Sequence, residues 1–271
     1  MVSLPQFMDD RLAHGRAYFA RDEAIAALDI KPPALAAALT RLIKKRRLVS
    51  PRQGFYLILR PEDRMVGAPD PVDWVGPMMR YLGVDYRISL LRAAAFHGAS
   101  HQAAMVFQLV VPQQMRAIEI GRLRIQFIYL APSVFTNSNQ PALLSQIKSD
   151  AGYAQVAGIE LTLLDCARYF HQAAGINGVA QIVKDIGGKA KPRQLAQAAA
   201  VYERSTVLRL GYLLDLANHA RQAAALASFA KQVKSAPSLD PSVKSLMASA
   251  RHDVHDAKWK LVINTPVDVD F

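Results

Sequence analysis

Cysteine occurs once in the 271 residues, at Cys166. One thiol cannot close an intrachain disulfide, so a disulfide-stapled secreted scaffold is excluded and a reducing, cytoplasmic setting is expected. Long apolar runs are missing too. No stretch approaches the ~18 uncharged apolar residues of a transmembrane helix, so no membrane role is expected. The opening MVSLPQFMDDRLAHGR puts Asp9 and Asp10 where a signal peptide needs apolar residues, and no targeting segment is expected. Acidic side chains are scarce beside basic ones: 22 Asp plus Glu against 33 Lys plus Arg, a formal net charge of +11. That excess suits a polyanion or an acidic protein as partner.

What is present points to a folded chain. Hydrophobic residues make up 51% of the sequence, and its length suffices for one large domain or two ordinary ones. The sharpest change in composition is RPEDRMVGAPDPVDWVGP, residues 60–77, with Pro61, Pro69, Pro71 and Pro77. Prolines at that density oppose regular helix and ladder pairing, so residues 61–77 read as a linker. It joins an N-terminal domain, residues 1–60, to a larger C-terminal one, residues 78–271. In the latter, residues 86–96 read as a helix ending near Gly98, and 104–111 and 123–130 as strands. Helices fit 162–172, 176–186, 193–202, 205–218 (with Ser205 as N-cap) and 219–234, and a last strand fits 259–264. Strands first and helices after predict an α+β fold rather than a wound parallel sheet.

The N-terminal domain carries the informative pattern. A short strand near 17–19 precedes a helix over 21–28. The break Asp29-Ile30-Lys31-Pro32-Pro33 starts a second helix at a proline, where the missing N–H costs nothing. At 100° per residue, Leu35, Leu39, Leu42 and Ile43 fall on its core side. Ala34, Ala37, Thr40, Arg41 and Lys44 fall on the other side: small residues that allow close approach to base edges, then cations that reach phosphates. Strands over 48–50 and 55–59 with a Pro51-Arg52-Gln53-Gly54 turn complete a wing, and Arg52 and Gln53 are expected free at its tip. Lys31, Lys45, Arg46 and Arg47 extend the basic surface, and from Arg41 to Arg52 there are six cations and no acid. This order of elements predicts a winged helix-turn-helix that binds duplex DNA. Its expected small core is Phe19, Ile25, Leu28, Leu35, Leu39, Leu42, Leu48 and Tyr56.

Enzyme-like patterns are weaker. His97 and His101 are spaced as zinc ligands, but Gly98 stands where a zinc hydrolase helix has glutamate. His252 and His255 flank Asp253 with no third ligand in reach. Cys166 lies among apolar neighbours in LTLLDCARYF and reads as a small buried hydrophobe. Gly187-Gly188-Lys189 lacks the leading glycine and the Ser or Thr of a phosphate loop and reads as a helix stop. No catalytic residue, metal site or cofactor is expected. A basic cluster of Lys184, Lys189, Lys191 and Arg193, followed by Arg204 and Arg209, gives the C-terminal part its own cationic surface.

With these residues in hand, the chain resembles the AbiEi antitoxins of type IV toxin–antitoxin systems. The resemblance rests on RLIKKRRLVSPRQGFYLI, YRISLLRAAAFHGASHQ, AGIELTLLDCARY, RSTVLRLGYLLD and WKLVINTPVDVDF. It implies a bacterial protein whose winged helix represses its own operon. It implies too that the C-terminal domain neutralises a nucleotidyltransferase-like toxin without needing a stable complex with it. Two alternatives stand beside this reading: a nucleic-acid-processing enzyme, and a ligand-responsive winged-helix regulator outside toxin–antitoxin systems.

Overall fold

The computed structural model describes residues 3–99, 106–231, 235–243 and 254–268. The fold is α+β and divides into two compact units. The first comprises Met1–Ile88, Met105–Leu130 and Gln146–Val156; the second comprises Ser89–Ala104, Ala131–Ser145 and Ala157–Phe271.

The first unit begins with α1 (Leu4–Ala13), β1 (Tyr18–Ala20), α2 (Arg21–Leu28), α3 (Pro32–Lys44), β2 (Leu48–Arg52) and β3 (Phe55–Ile58). The three strands form one antiparallel sheet in the order β1-β3-β2, with Phe19 opposite Tyr56 and Leu48 opposite Ile58. Three helices and a terminal hairpin in this order give the topology of a winged helix. Helix α1 was not expected from the sequence. It is announced by a capping box: the Ser3 hydroxyl accepts from the Gln6 N–H and the Gln6 amide oxygen accepts from the Ser3 N–H. Its Leu4, Phe7 and Met8 then join Phe19, Leu28, Leu35, Leu39 and Leu48 in one core, with Ile25, Leu42 and Tyr56 packed against it. That extra helix adds three buried apolar side chains, Leu4, Phe7 and Met8, to the core that α3 and the hairpin share.

The proline-rich stretch is more ordered than its composition suggests. Glu62–Arg64 forms a 3-10 turn and Pro71–Tyr81 a regular helix, α4. Pro71 occupies its first turn, where no N–H is needed, and the Asp70 carboxylate caps the Val72 N–H at 3.0 Å. Only Pro77 removes an interior hydrogen bond, and fully buried Trp74, Val75, Met78 and Met79 outweigh that loss.

A six-stranded mixed sheet follows, in the order β6-β7-β5-β4-β9-β8. Its strands are β4 (Arg87–Ile88), β5 (Val106–Val111), β6 (Ile118–Ile120), β7 (Leu123–Tyr129), β8 (Leu144–Ser149) and β9 (Gly152–Ala157). The expected single helix over 86–96 is therefore a short strand followed by α5 (Leu90–Phe96). Pairing of Ile88 with Leu109 on one side and Val156 on the other overrides local helix preference. Central β5 is buried on both faces, which suits its Val-Phe-Gln-Leu-Val-Val sequence.

The second unit is largely helical: α5, α6 (Pro132–Ser138), α7 (Ile159–Arg168), α8 (Gly175–Ile186), α9 (Pro192–Ala199), α10 (Arg204–Leu216) and α11 (Ala220–Ala230). A hairpin of β10 (Val254–Asp256) and β11 (Leu261–Ile263) ends it. Helix α10 starts one residue earlier than expected, with Glu203 rather than Ser205 as its N-cap. Helix α7 is the centre, packed against α5, α8, α9 and α10 with Glu160–Ala167 buried throughout. Its polar side chains are satisfied there. The Asp165 carboxylate accepts from the Ser89 hydroxyl at 2.7 Å and the Tyr202 hydroxyl at 2.6 Å. Glu160 accepts from the Lys191 N–H at 2.7 Å.

Candidate nucleic-acid interface

Helix α3 positions the candidate site. Pro32 and Pro33 fill its first turn, and Asp29, in a left-handed conformation at the end of α2, turns the chain between the two helices. Leu35 and Leu39 are fully buried and Leu42 half-buried, which fixes the helix's rotation on the core. Ala34, Ala37, Thr40, Arg41 and Lys44 are then all exposed. Thr40 spends its hydroxyl proton on the Ala36 carbonyl at 2.9 Å, leaving an oxygen that accepts. At 13 residues the helix is about 20 Å long, enough to lie in a major groove. The expected fourth core residue is a correction: Ile43 is 40% exposed. It lies beyond Leu42 on the rim of the buried stripe, facing a cleft rather than the core.

The cations around this face are not equivalent. Lys31, Arg41, Lys44, Lys45 and Arg46 are exposed. Arg46 adopts a left-handed conformation that closes the helix, its N–H bonding the Ile43 carbonyl at 2.9 Å. Arg47 is half-buried, with its guanidinium 3.9 Å from the Asp9 carboxylate. Arg52 departs furthest from expectation. It is not free at the wing tip: its guanidinium donates to the Arg116 carbonyl and lies 5.4 Å over the Phe127 ring. Burial pushes its pKa below the ordinary guanidinium value. The neighbouring turn is held as well. The Tyr81 hydroxyl donates to the Gln53 carbonyl at 3.2 Å while the Gln53 side chain remains exposed. Gly54, with φ +79°, leaves no room for a Cβ, which would collide with that same hydroxyl. The sequence carried no signal for these contacts, because Arg116 and Phe127 lie more than 60 residues away.

The described residues of the enzyme-like motifs make structural contacts. The His97 ring nitrogen Nε2 meets the Ala157 carbonyl at 2.7 Å at the end of α5. His101 and His252 lie outside the described residues, and among the described residues no cluster of three His, Cys, Asp or Glu could hold a metal ion. Cys166 is fully buried, and desolvation, with the Asp165 charge beside it, holds its thiol well above the usual pKa. The Gly187–Lys189 turn packs against His219, and Gln222 donates to the Gly188 and Ala190 carbonyls at 2.9 and 3.0 Å. Of the basic cluster, Lys189, Lys191, Arg193 and Arg204 are exposed. Arg209 is not a surface cation. It is buried, donating to the Leu239 carbonyl at 2.7 Å and the Ala167 carbonyl at 2.9 Å, and desolvation lowers its pKa to about 10. Among the described residues no helix is long and apolar enough to cross a membrane.

Residues 87–216 match the family of the AbiEi antitoxin C-terminal domain. No curated protein matches the chain. Among solved structures, the crystal structure of the RV2827C protein from Mycobacterium tuberculosis is similar. It is 17% identical, with a TM-score of 0.68 over 95% of this chain and 90% of that one. At this identity the likeness is one of fold.

Proposed function

We propose that this chain, a member of the AbiEi antitoxin family through residues 87–216, is a DNA-binding autorepressor as well as an antitoxin. Its winged helix, residues 1–60, reads the operator of its own operon. The observation that carries this reading is the face of α3. Exposed alanines sit at its N-terminal half and exposed Arg41 and Lys44 at its C-terminal half, flanked by Lys31, Lys45 and Arg46. Small side chains admit base edges, and the cations displace counterions from phosphates. Arg47 and the exposed Gln53 side chain add backbone contacts at the margin, and Arg52 contributes chiefly by fixing the wing. The test is binding of the full chain to a duplex from its own promoter against a scrambled duplex of equal length. Equal affinity for both would refute operator reading.

The C-terminal part, residues 78–271, neutralises a nucleotidyltransferase-like toxin without catalysis of its own. The support is chemical: the one thiol is buried and held protonated, and His97 is committed to a backbone carbonyl. Co-expression with the toxin tests it. The full chain and folded Cys166→Ala and His97→Ala variants should rescue growth alike. Loss of rescue in either would reopen the enzyme reading. A combined Lys189→Ala, Lys191→Ala, Arg193→Ala variant asks whether the exposed cations near the α9 N-terminus carry neutralisation.

A further inference from the structure

Behind the C-terminal turn of α3 lies a cleft of about 410 Å³. Its walls are apolar: Ile43, Val49, Leu59, Met65, Val66 and Ile120. Ile43, Met65 and Val66 are three of the seven large hydrophobic residues left exposed among the described residues, at 40%, 81% and 47%. Scattered singly such residues are ordinary, but three lining one concavity are not. One wall is built with care. The turn at Gly67 and the β6–β7 turn at Gly121 meet backbone to backbone, and the Arg122 N–H donates to the Val66 carbonyl at 2.8 Å. A Cβ on Gly67 would stand 2.8 Å from the Gly121 Cα, and one on Gly121 would collide with the Val66 carbonyl. Only glycine at both positions permits this closure.

Three guanidinium groups, Arg46, Arg64 and Arg122, also line the cleft, all exposed, and among the described residues no acidic side chain lines it. An apolar concavity of this size ringed by cations matches a small anionic amphiphile, its carboxylate held by guanidinium and its hydrocarbon body by the walls. We infer that this cleft binds a carboxylate with an aliphatic chain of medium length, and that the bound acid weakens DNA binding. The coupling is geometric. Ile43 and Arg46 belong to the last turn and closure of the helix that carries the DNA face, so an acid that recruits Arg46 withdraws a cation from the phosphates. This second half rests on the DNA-binding reading; the site itself does not.

Dodecanoate is the probe, with dodecyltrimethylammonium and dodecyl maltoside as cationic and neutral controls, titrated calorimetrically into the full chain below their micelle concentrations. Met65→Asp and Arg122→Glu both alter exposed side chains outside α3 and the wing. The expected result is saturable binding of one dodecanoate, at least about tenfold weaker in either variant, and none of the cationic control. Absence of saturable binding, or affinities unchanged in both variants, overturns the site. In a parallel anisotropy titration, saturating dodecanoate should weaken duplex binding by about tenfold in the wild type and not in Arg122→Glu. A ligand that binds without moving duplex affinity overturns the regulatory half. A chain that binds no duplex even without ligand refutes the DNA reading and that half with it, while the calorimetry still decides the site.

Discussion

Replacing Arg41, Lys44 and Lys45 together with alanine is the most direct test of the proposal that α3 meets DNA. All three side chains are exposed on or beside the outward face, and none supports the core built on Leu35 and Leu39. If each neutralises one phosphate, the dependence of log affinity on log salt flattens by ~0.9 per contact, or about 2.7 in all. A fourfold rise in salt, from ~50 to ~200 mM, then costs the triple variant about 40-fold less affinity than it costs the wild type. Fluorescence anisotropy with a labelled promoter duplex at four or five salt concentrations measures both slopes. Arg52→Ala serves as the internal comparison. Its guanidinium is committed to the Arg116 carbonyl and the Phe127 face, so its slope should stay within about 0.3 of wild type. A triple variant with the wild-type slope, or an Arg52→Ala variant that loses a full unit, would refute this docking.

Three further outcomes follow from named contacts. Ala37→Glu should abolish operator binding while leaving the circular dichroism spectrum unchanged, since Ala37 is exposed on the face proposed to approach the bases; a variant that still binds its operator overturns the assignment of α3 as the reading helix. Cys166 should resist a thiol reagent in the native chain and react fully once unfolded. Its folded pKa is raised, so the thiol favours folding at neutral pH, and that contribution is lost as pH rises past the unfolded value of ~8.5. Fast native labelling at pH 8 would contradict the burial. Arg209→Ala removes two charge-assisted hydrogen bonds to carbonyls inside the second unit and should cost about 3 kcal/mol in denaturant unfolding. A loss under about 0.5 kcal/mol would mean that water replaces the guanidinium.

Local rules made much of the winged helix legible. Leu35, Leu39 and Leu42 recur at helical spacing, a proline opens α3 and a glycine turns the wing, so each element advertised itself within a few residues. The expected small core is found in or against the observed one for the same reason. Helix α1 had a legible signal as well, the Ser3–Gln6 capping box, masked by the polar look of the residues after it. Other misses came from partners distant in sequence. Composition alone made residues 61–77 look irregular, because burial of Trp74 and its neighbours in α4 is a tertiary fact. Arg52 and Arg209 both read as surface cations, because no local pattern reveals which guanidinium will find carbonyls 64 or 30 residues away. The cleft behind α3 is invisible in sequence for a related reason: its walls come from three separated segments.

A wing tied at its tip has also surrendered its freedom before any duplex arrives. Ordering a residue costs roughly 1–2 kcal/mol of conformational entropy. The turn around Gln53 and Gly54 meets that cost during folding, through Tyr81 and Arg116, rather than on association. A loose wing would gain contacts on binding and lose entropy in the same step; a fixed one can only match or mismatch the groove it meets. On the proposed DNA-binding reading, discrimination between operators falls on the shape of the DNA backbone against a rigid edge as much as on bases against α3. On the same proposed reading, substitutions at Tyr81, Arg116 or Phe127, none of them on α3, become a route by which such a protein shifts its preference from one duplex to another.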